Sequence, residues 1–334
     1  MLPPIDLFQS RFGDIRYLMA PMAGISDTVF RSLIREMGAQ CVVSELVSAE
    51  GIVRRGQKTL DLMAFSEAER PVGIQIFGHD SKTLTEAARF VQGEGADFVD
   101  INFGCPVKKV VCDGGGAAWL RDPVQLGKLL ESLKSVLRIP LTIKVRTGWD
   151  EQSRNVMEVV KVAAESGVSW VAIHGRTRAQ GYSGVADWEL IREVAWKSPI
   201  PIIGNGDLVT SQQARARLDE GYAHAVMIGR GALKNPWIFR ELRGDTEGNY
   251  NFPALIERHF QLAIEKKGVT RAYLSLKKFL SWYAAGYPYS SPFRAKIFAS
   301  HDIEELRRHA SEFFAGISHQ PKDEGQPFLM GGHG

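Results

Sequence analysis

Along roughly the first 240 residues, short apolar runs rich in β-branched side chains alternate with longer stretches whose apolar positions recur every three or four residues. The short runs predict eight strands: Tyr17–Ala20, Cys41–Ser44, Val72–Phe77, Phe98–Asn102, Leu141–Val145, Trp170–His174, Pro201–Gly204 and Ala225–Ile228. Several are apolar on both faces, as strands of a buried parallel sheet are. The longer stretches predict helices at Asp27–Met37, Ser81–Gly93, Pro123–Leu137, Asn155–Ser166, Trp188–Trp196 and Ser211–Glu220. This alternation predicts an α/β fold of the (β/α)8 type, a TIM barrel. A doubly wound sheet is the rival, and no Gly-x-Gly-x-x-Gly after the first strand supports it.

The pattern changes after Arg243. Gly244–Asn251 is polar and aperiodic, and Pro253–Lys267, Arg271–Ala284 and Ile303–Ala315 then read as amphipathic helices. The expected organisation is a barrel over residues 1–243, a helical domain over 252–317 and a flexible tail over 318–334.

Composition narrows the class only slightly. A chain of 334 residues with 44% hydrophobic and 24% charged residues is an ordinary globular protein that needs no staple. Cys41, Cys105 and Cys112 are too few for a disulfide framework and match no zinc spacing, so no metal is expected and a reducing cytoplasm is. Neither a signal peptide nor a membrane span is visible. The net charge of +3 is unremarkable, but its distribution is not. Between Pro253 and Ala310, ten Lys and Arg face five Asp and Glu, which leaves the rest of the chain slightly acidic. Such a segment suggests a nucleic-acid contact.

In a barrel the chemistry belongs at the C-terminal strand ends. Here these read Pro21-Met22-Ala23-Gly24, Ser44-Glu45, Gln75, Asn102-Phe103-Gly104-Cys105-Pro106, Lys144-Val145-Arg146, His174-Gly175-Arg176, Asn205-Gly206-Asp207 and Gly229-Arg230-Gly231. The glycine turns after the seventh and eighth strands expose N–H groups where this fold binds phosphate, and Arg230 adds a charged donor. Lys144, His174 and Gln75 would share the mouth, so the ligand should carry a phosphate and a polar ring. A flavin mononucleotide answers that description, with a lysine suited to its reduced, anionic ring. A strand-end lysine also suits a Schiff base of the aldolase kind, but that leaves Cys105 and the basic helices without a role. His174 alone reads as a structural histidine; Arg176 and Arg178 beside it favour a functional one.

The segment Asp100-Ile101-Asn102-Phe103-Gly104-Cys105-Pro106-Val107-Lys108-Lys109-Val110, followed by Gly116-Ala117, resembles the signature of the tRNA-dihydrouridine synthases. So do Ala20-Pro21-Met22-Ala23-Gly24, His174-Gly175-Arg176-Thr177-Arg178, Gly204-Asn205-Gly206-Asp207 and Met227-Ile228-Gly229-Arg230-Gly231. The likeness runs from about residue 16 to 310, takes in Trp282-Tyr283 and Arg294, and is closest to the bacterial B-type subfamily. Two places depart from it: Trp119 stands where a smaller aliphatic is usual, and Cys112-Asp113-Gly114-Gly115 is an unusual loop.

The resemblance implies non-covalent FMN contacts from Pro21, Met22, Ala23, Gln75, Lys144, His174, Asn205, Gly206, Asp207, Gly229 and Arg230. It makes Cys105 the proton donor, and NADPH (or NADH) the reductant, in reducing the C5=C6 bond of uridines in the tRNA D-loop. Asn102 is in position to meet the uracil edge, with a structural turn role as the alternative. Lys108, Lys109, Arg146, Arg176, Arg178, Lys277, Lys278 and Arg294 are candidate tRNA contacts. No obligate protein partner or membrane is implied, and a monomer is expected. The alternatives are an FMN-dependent barrel that reduces a free pyrimidine or small enone, and an RNA-binding module without chemistry.

Overall fold

A computed structural model describes residue 2 and residues 14–245 and 250–317; residues 246–249 of the predicted linker, and the predicted tail, lie outside the described residues. Eight strands, β1 (Tyr17–Met19), β2 (Cys41–Ser48), β3 (Val72–Phe77), β4 (Phe98–Phe103), β5 (Leu141–Arg146), β6 (Trp170–His174), β7 (Ile202–Asn205) and β8 (Ala225–Ile228), pair in chain order, all parallel. β8 returns to β1 and closes the barrel. The predicted strand ends hold to within a residue except in β2. That strand runs on to Ser48 through a register shift between Val43 and Leu46, so Ser44-Glu45 lies inside it rather than at its end.

Side-chain alternation builds two layers. Outward residues such as Ile74, Val99, Ile101, Ile143, Val145, Val171 and Ile173 join the cluster beneath the helices. Inward residues Leu18, Cys41, Val43, Phe98, Trp170, Ile203 and Met227 plug the barrel floor, where Phe98 meets Trp170 edge to face at 4.9 Å. Gly73 is required there, because a Cβ would sit 2.1 Å from the Phe98 ring. The apolar-on-both-faces reading fails higher up: the inner face turns polar at Gln75, Asp100, Asn102, Thr142, Lys144 and Arg146, and these build the mouth. Asp27, Asp80, Asp122 and Asp187 cap helices by accepting first-turn N–H groups.

The C-terminal helices are Phe252–Tyr283, Ser290–Ala299 and Ile303–Ala315. The first is broken at Gly268, whose φ of 72° only glycine adopts freely, and this matches the two helices predicted there. Ser290–Ala299 went unpredicted, since it opens Ser-Ser-Pro and has no strong apolar face. Phe279 packs on Phe30 of the helix Thr28–Glu36 at 5.2 Å, so the apolar core runs unbroken from barrel to helices. Ion pairs Arg258–Glu36, Lys266–Glu69, Lys267–Asp27 and Arg271–Asp61 line the same seam. The basic excess of this segment therefore serves docking as well as the outer surface. No helix among the described residues is long and apolar enough to cross a membrane.

Candidate active site

Strand register sets the level of each mouth residue. Gln75, Asp100 and Thr142 stand abreast on β3, β4 and β5; Asn102 pairs with Lys144; Arg146, His174 and Asn205 stand abreast on β5, β6 and β7. Polar side chains at adjoining positions of a buried face must find one another. Asn102 Nδ2 donates to Gln75 Oε1 at 2.8 Å, and Gln75 Nε2 to Asp100 Oδ2 at 2.6 Å. Thr142 donates to the other carboxylate oxygen at 2.6 Å.

Cys105 sits just past β4, half-buried. Its N–H donates to Asn102 Oδ1 at 2.7 Å, the Gly104 N–H to the same oxygen at 3.1 Å, and its carbonyl accepts from Ala117 N–H at 3.2 Å. Gly116, at φ 56°, lies against it; a Cβ there would come within 3.1 Å of the Cys105 Cβ. The unusual loop before Gly116 thus closes back onto the cysteine. Trp119 is explained too: its indole N–H donates to the Gly78 carbonyl at 2.9 Å and its ring packs on Phe103. Burial pushes the Cys105 thiol up, against the N–H of Val107 and the cations Arg146 and Lys144. That keeps the proton on sulfur.

Cations dominate the mouth. Burial and then Arg146 lower Lys144 to about 8, and its ammonium donates to Asn205 Oδ1 at 3.0 Å. His174, buried among Arg146, Lys144, Arg176 and Arg230, is held well below its ordinary value and stays neutral. Burial accounts for most of that, and the four cations around the ring add to it; together they make this part of the mouth positive, suited to an anion.

The turns after β7 and β8 complete the wall. Among the described residues, the N–H groups of Gly206, Asp207 and Gly229 have no acceptor. Asp207 holds a left-handed φ of 55°, fixed by Arg176 at 2.8 Å and the Ala186 N–H at 2.7 Å. The loop after β1 reaches this wall, since a Cβ on Gly229 would meet the Met22 sulfur at 3.3 Å. Pro21 is half-buried beside Met22 and Ala23 is exposed.

The residues expected at tRNA divide. Lys108 and Lys109 are exposed on the helix Lys108–Cys112, and Lys278 and Arg294 are exposed on the C-terminal helices. Arg146 and Arg176 are each only 2% exposed. Arg146 donates to the carbonyls of Gly104, Thr177 and Gly181, and Arg176 to those of Ser183 and Gly184. They brace loops from inside rather than meeting a phosphate at the rim. Lys277 is likewise turned inward, onto Tyr273 Oη at 2.6 Å and the Ser300 carbonyl at 3.1 Å. Arg178 stacks on Trp149 at 4.5 Å, with Arg121 over the same ring at 4.9 Å. Neither guanidinium has a carboxylate partner among the described residues, and Arg178 Nε is buried without an acceptor.

Four residues escaped the sequence reading. Thr142, Trp149 and Arg121 carry no signal outside the fold. Tyr182, beneath the Arg230 and Arg146 guanidinium groups at 4.9 and 5.6 Å, is marked only by lying in the loop that holds Arg176 and Arg178.

Comparison with known proteins bears on this mouth. Among solved structures, a 6-hydroxypseudooxynicotine amine oxidase from Pseudomonas geniculata N1 aligns with TM-score 0.56 at 13% identity, over 76% of this chain and 52% of its own. A histamine dehydrogenase from Rhizobium sp. 4-9 aligns with TM-score 0.55 at 12% identity, over 78% of this chain and 50% of its own. The chain thus spans about half of each, and at such identities they share its fold alone. Sequence relatives are nearer. A tRNA-dihydrouridine synthase B of Pseudomonas aeruginosa is 35% identical over 90% of this chain and 93% of its own length. A probable tRNA-dihydrouridine synthase of Rickettsia bellii is 33% identical over 90% and 95%. The family model described as Dihydrouridine synthase matches residues 18–317, which takes in every barrel strand but the first residue of β1, the Cys105 loop and the C-terminal helices. With barrel, mouth and helices all inside that match, the chain belongs to the dihydrouridine synthase family.

Proposed function

We propose that this chain is a tRNA-dihydrouridine synthase that reduces the C5=C6 bond of D-loop uridines, with non-covalent FMN as cofactor and NADPH as reductant. Family membership makes it an oxidoreductase. The observation that carries the finer reading is Cys105 beside the same cations, Lys144 and Arg146, that surround neutral His174, with the N–H groups of Gly206, Asp207 and Gly229 without an acceptor among the described residues. The residues fit the cofactor. Three N–H groups without an acceptor among the described residues, and the Arg230 guanidinium, suit its phosphate, and Lys144 suits the negative charge of its reduced ring.

Bound there and reduced by NADPH, FMN would supply the hydride that uracil C6 receives. The chain's own part is the proton. Charge left on C5 and O4 is quenched when the Cys105 thiol gives its proton to C5, and burial has kept that proton in place. Lys144 and Arg146 then face the thiolate and hold its charge until it regains a proton. The uridine must leave its stack to reach this depth, which costs least in a single-stranded loop.

Exposed Lys108, Lys109, Lys278 and Arg294, with the Arg121–Trp149–Arg178 stack, offer the rim contacts for phosphate and base. A monomer acting in the cytoplasm completes this reading.

The test is direct. Purified protein should be yellow and release FMN on acid precipitation, and with NADPH it should form dihydrouridine in tRNA lacking that base. A colourless protein, or faster reduction of free uridine than of tRNA, overturns the proposal.

A further inference from the structure

The buried string below Cys105 has a direction. Asparagine and glutamine side chains are nearly symmetrical in shape, so only their neighbours decide which end is oxygen. Here the two ends agree on the direction, a carboxylate at one and two backbone N–H groups at the other. The Asp100 carboxylate, 3% exposed and raised by burial to about 6, is ionised at neutral pH and then only accepts, so Gln75 turns its Nε2 toward it, at 2.6 Å. Gln75 Oε1 then faces Asn102 and takes Nδ2 at 2.8 Å. Asn102 in turn has only its oxygen left for the loop, where it accepts the N–H groups of Gly104 and Cys105. Thr142 closes the far end by donating to Asp100 Oδ1 at 2.6 Å.

We propose that Asp100 is a positioning residue: touching neither substrate nor cofactor, it matches the hydrogen-bond polarity of the Gln75–Asn102 string to the order the Cys105 loop requires and thereby holds that loop in place. Reversing the string would turn the Asn102 amide N–H2 against two backbone N–H groups, and the loop would have to move. The consequence for catalysis rests on the reading of Cys105 as proton donor; the consequence for the loop does not.

A near-isosteric cycle tests it. In Asp100→Asn the new N–H2 can donate to the Thr142 hydroxyl, which then turns to the Val99 carbonyl, 3.4 Å away. The string keeps its direction. In Thr142→Val the carboxylate still accepts from Gln75. In the double variant the N–H2 of the substituted amide has no acceptor on the β5 side; turned to Gln75 it opposes the order that the loop's two N–H groups impose on Asn102, so the string breaks at one of its junctions. Because Asp100→Asn also removes a charge facing Lys144, the double is read against that single variant.

The first readout is iodoacetamide labelling of Cys105 in flavin-loaded enzyme, with exposed Cys112 as reference in the same chain. The second is single-turnover reoxidation of reduced enzyme by tRNA. Both single variants should keep the wild-type labelling ratio. The double should change it severalfold and slow reoxidation by about 10²-fold. An unchanged ratio in the double, or effects that merely multiply those of the singles, overturns the proposal. If the double does not fold, Asp100→Ala replaces it, and its labelling ratio must move. A moved ratio together with wild-type reoxidation by Cys105→Ala would keep the positioning role and discard the proton donor. An inert Cys105→Ala with an unmoved ratio would do the reverse.

Discussion

Lys144 Nζ donates to Asn205 Oδ1 at 3.0 Å, which ties the central cation of the mouth to the strand that carries the first glycine turn. Burial and Arg146 hold this ammonium at about 8, while an unfolded chain keeps it protonated to about 10.5. Between those values the unfolded state binds the extra proton, so stability gained from this group rises with pH across the window. Below it, the buried charge is a standing cost. Flavin-free Lys144→Met should therefore be more stable than wild type near pH 7, by about 1–3 kcal/mol, with weakened FMN binding. Urea midpoints from about pH 7 to 10 should show the difference shrinking as pH rises. A difference that stays constant would mean the lysine titrates normally.

Cys105→Ala should retain FMN and its reduction by NADPH but lose about 10²–10⁴-fold in dihydrouridine formation. Cys112 is exposed, and Cys41 is buried in the barrel floor. Their alanine variants should keep most activity. Single-turnover reoxidation by tRNA lacking dihydrouridine is the measurement, and a wild-type rate for Cys105→Ala would remove the assignment.

Arg31 and Glu69 form an ion pair at 2.7 Å in which both side chains are 0% exposed. Arg31 also donates to the carbonyls of Ser26 and Ala64, and Glu69 accepts from Thr28 and Ser66. Glu69→Ala strands the guanidinium and should cost about 3–5 kcal/mol in denaturant unfolding. A loss below about 1 kcal/mol would mean that water reaches the charge.

Lys278, Arg294 and Lys296 are exposed, whereas Lys277 is bonded to Ser300 across the helices. Replacing the exposed three by Gln should weaken tRNA binding and lower its salt slope by roughly two. Lys277→Met should lower the melting temperature and leave the salt slope alone. If the slope followed Lys277 instead, the inward contacts would not persist in solution.

Replacing Arg121 and Arg178 together by Gln should raise the KM for tRNA and leave flavin reduction by NADPH unchanged. They flank Trp149 without a carboxylate partner among the described residues, so on the function proposed above they would meet an RNA phosphate. An unchanged KM would make the stack a purely structural brace.

The sequence by itself determined the barrel, because strand and helix periods are local: Val72–Phe77, Trp170–His174 and Ala225–Ile228 are legible from six or fewer residues each. It determined the Cys105 motif and the glycine turns for the same reason, since each is contiguous. What each charge does was decided only in three dimensions. Arg146 and Arg178 look alike in sequence, yet one is walled in by carbonyls from two loops and the other lies against an indole at the rim. The surplus of Lys and Arg after Pro253 was legible, but not that four of them would meet Glu36, Asp61, Glu69 and Asp27 across a seam more than 180 residues away in the chain. Asp100 was read as part of a motif, while its work depends on Gln75 and Thr142, brought abreast by the register of three strands. A side chain's partners are set by distance in space, and distance in space comes from closure of the barrel.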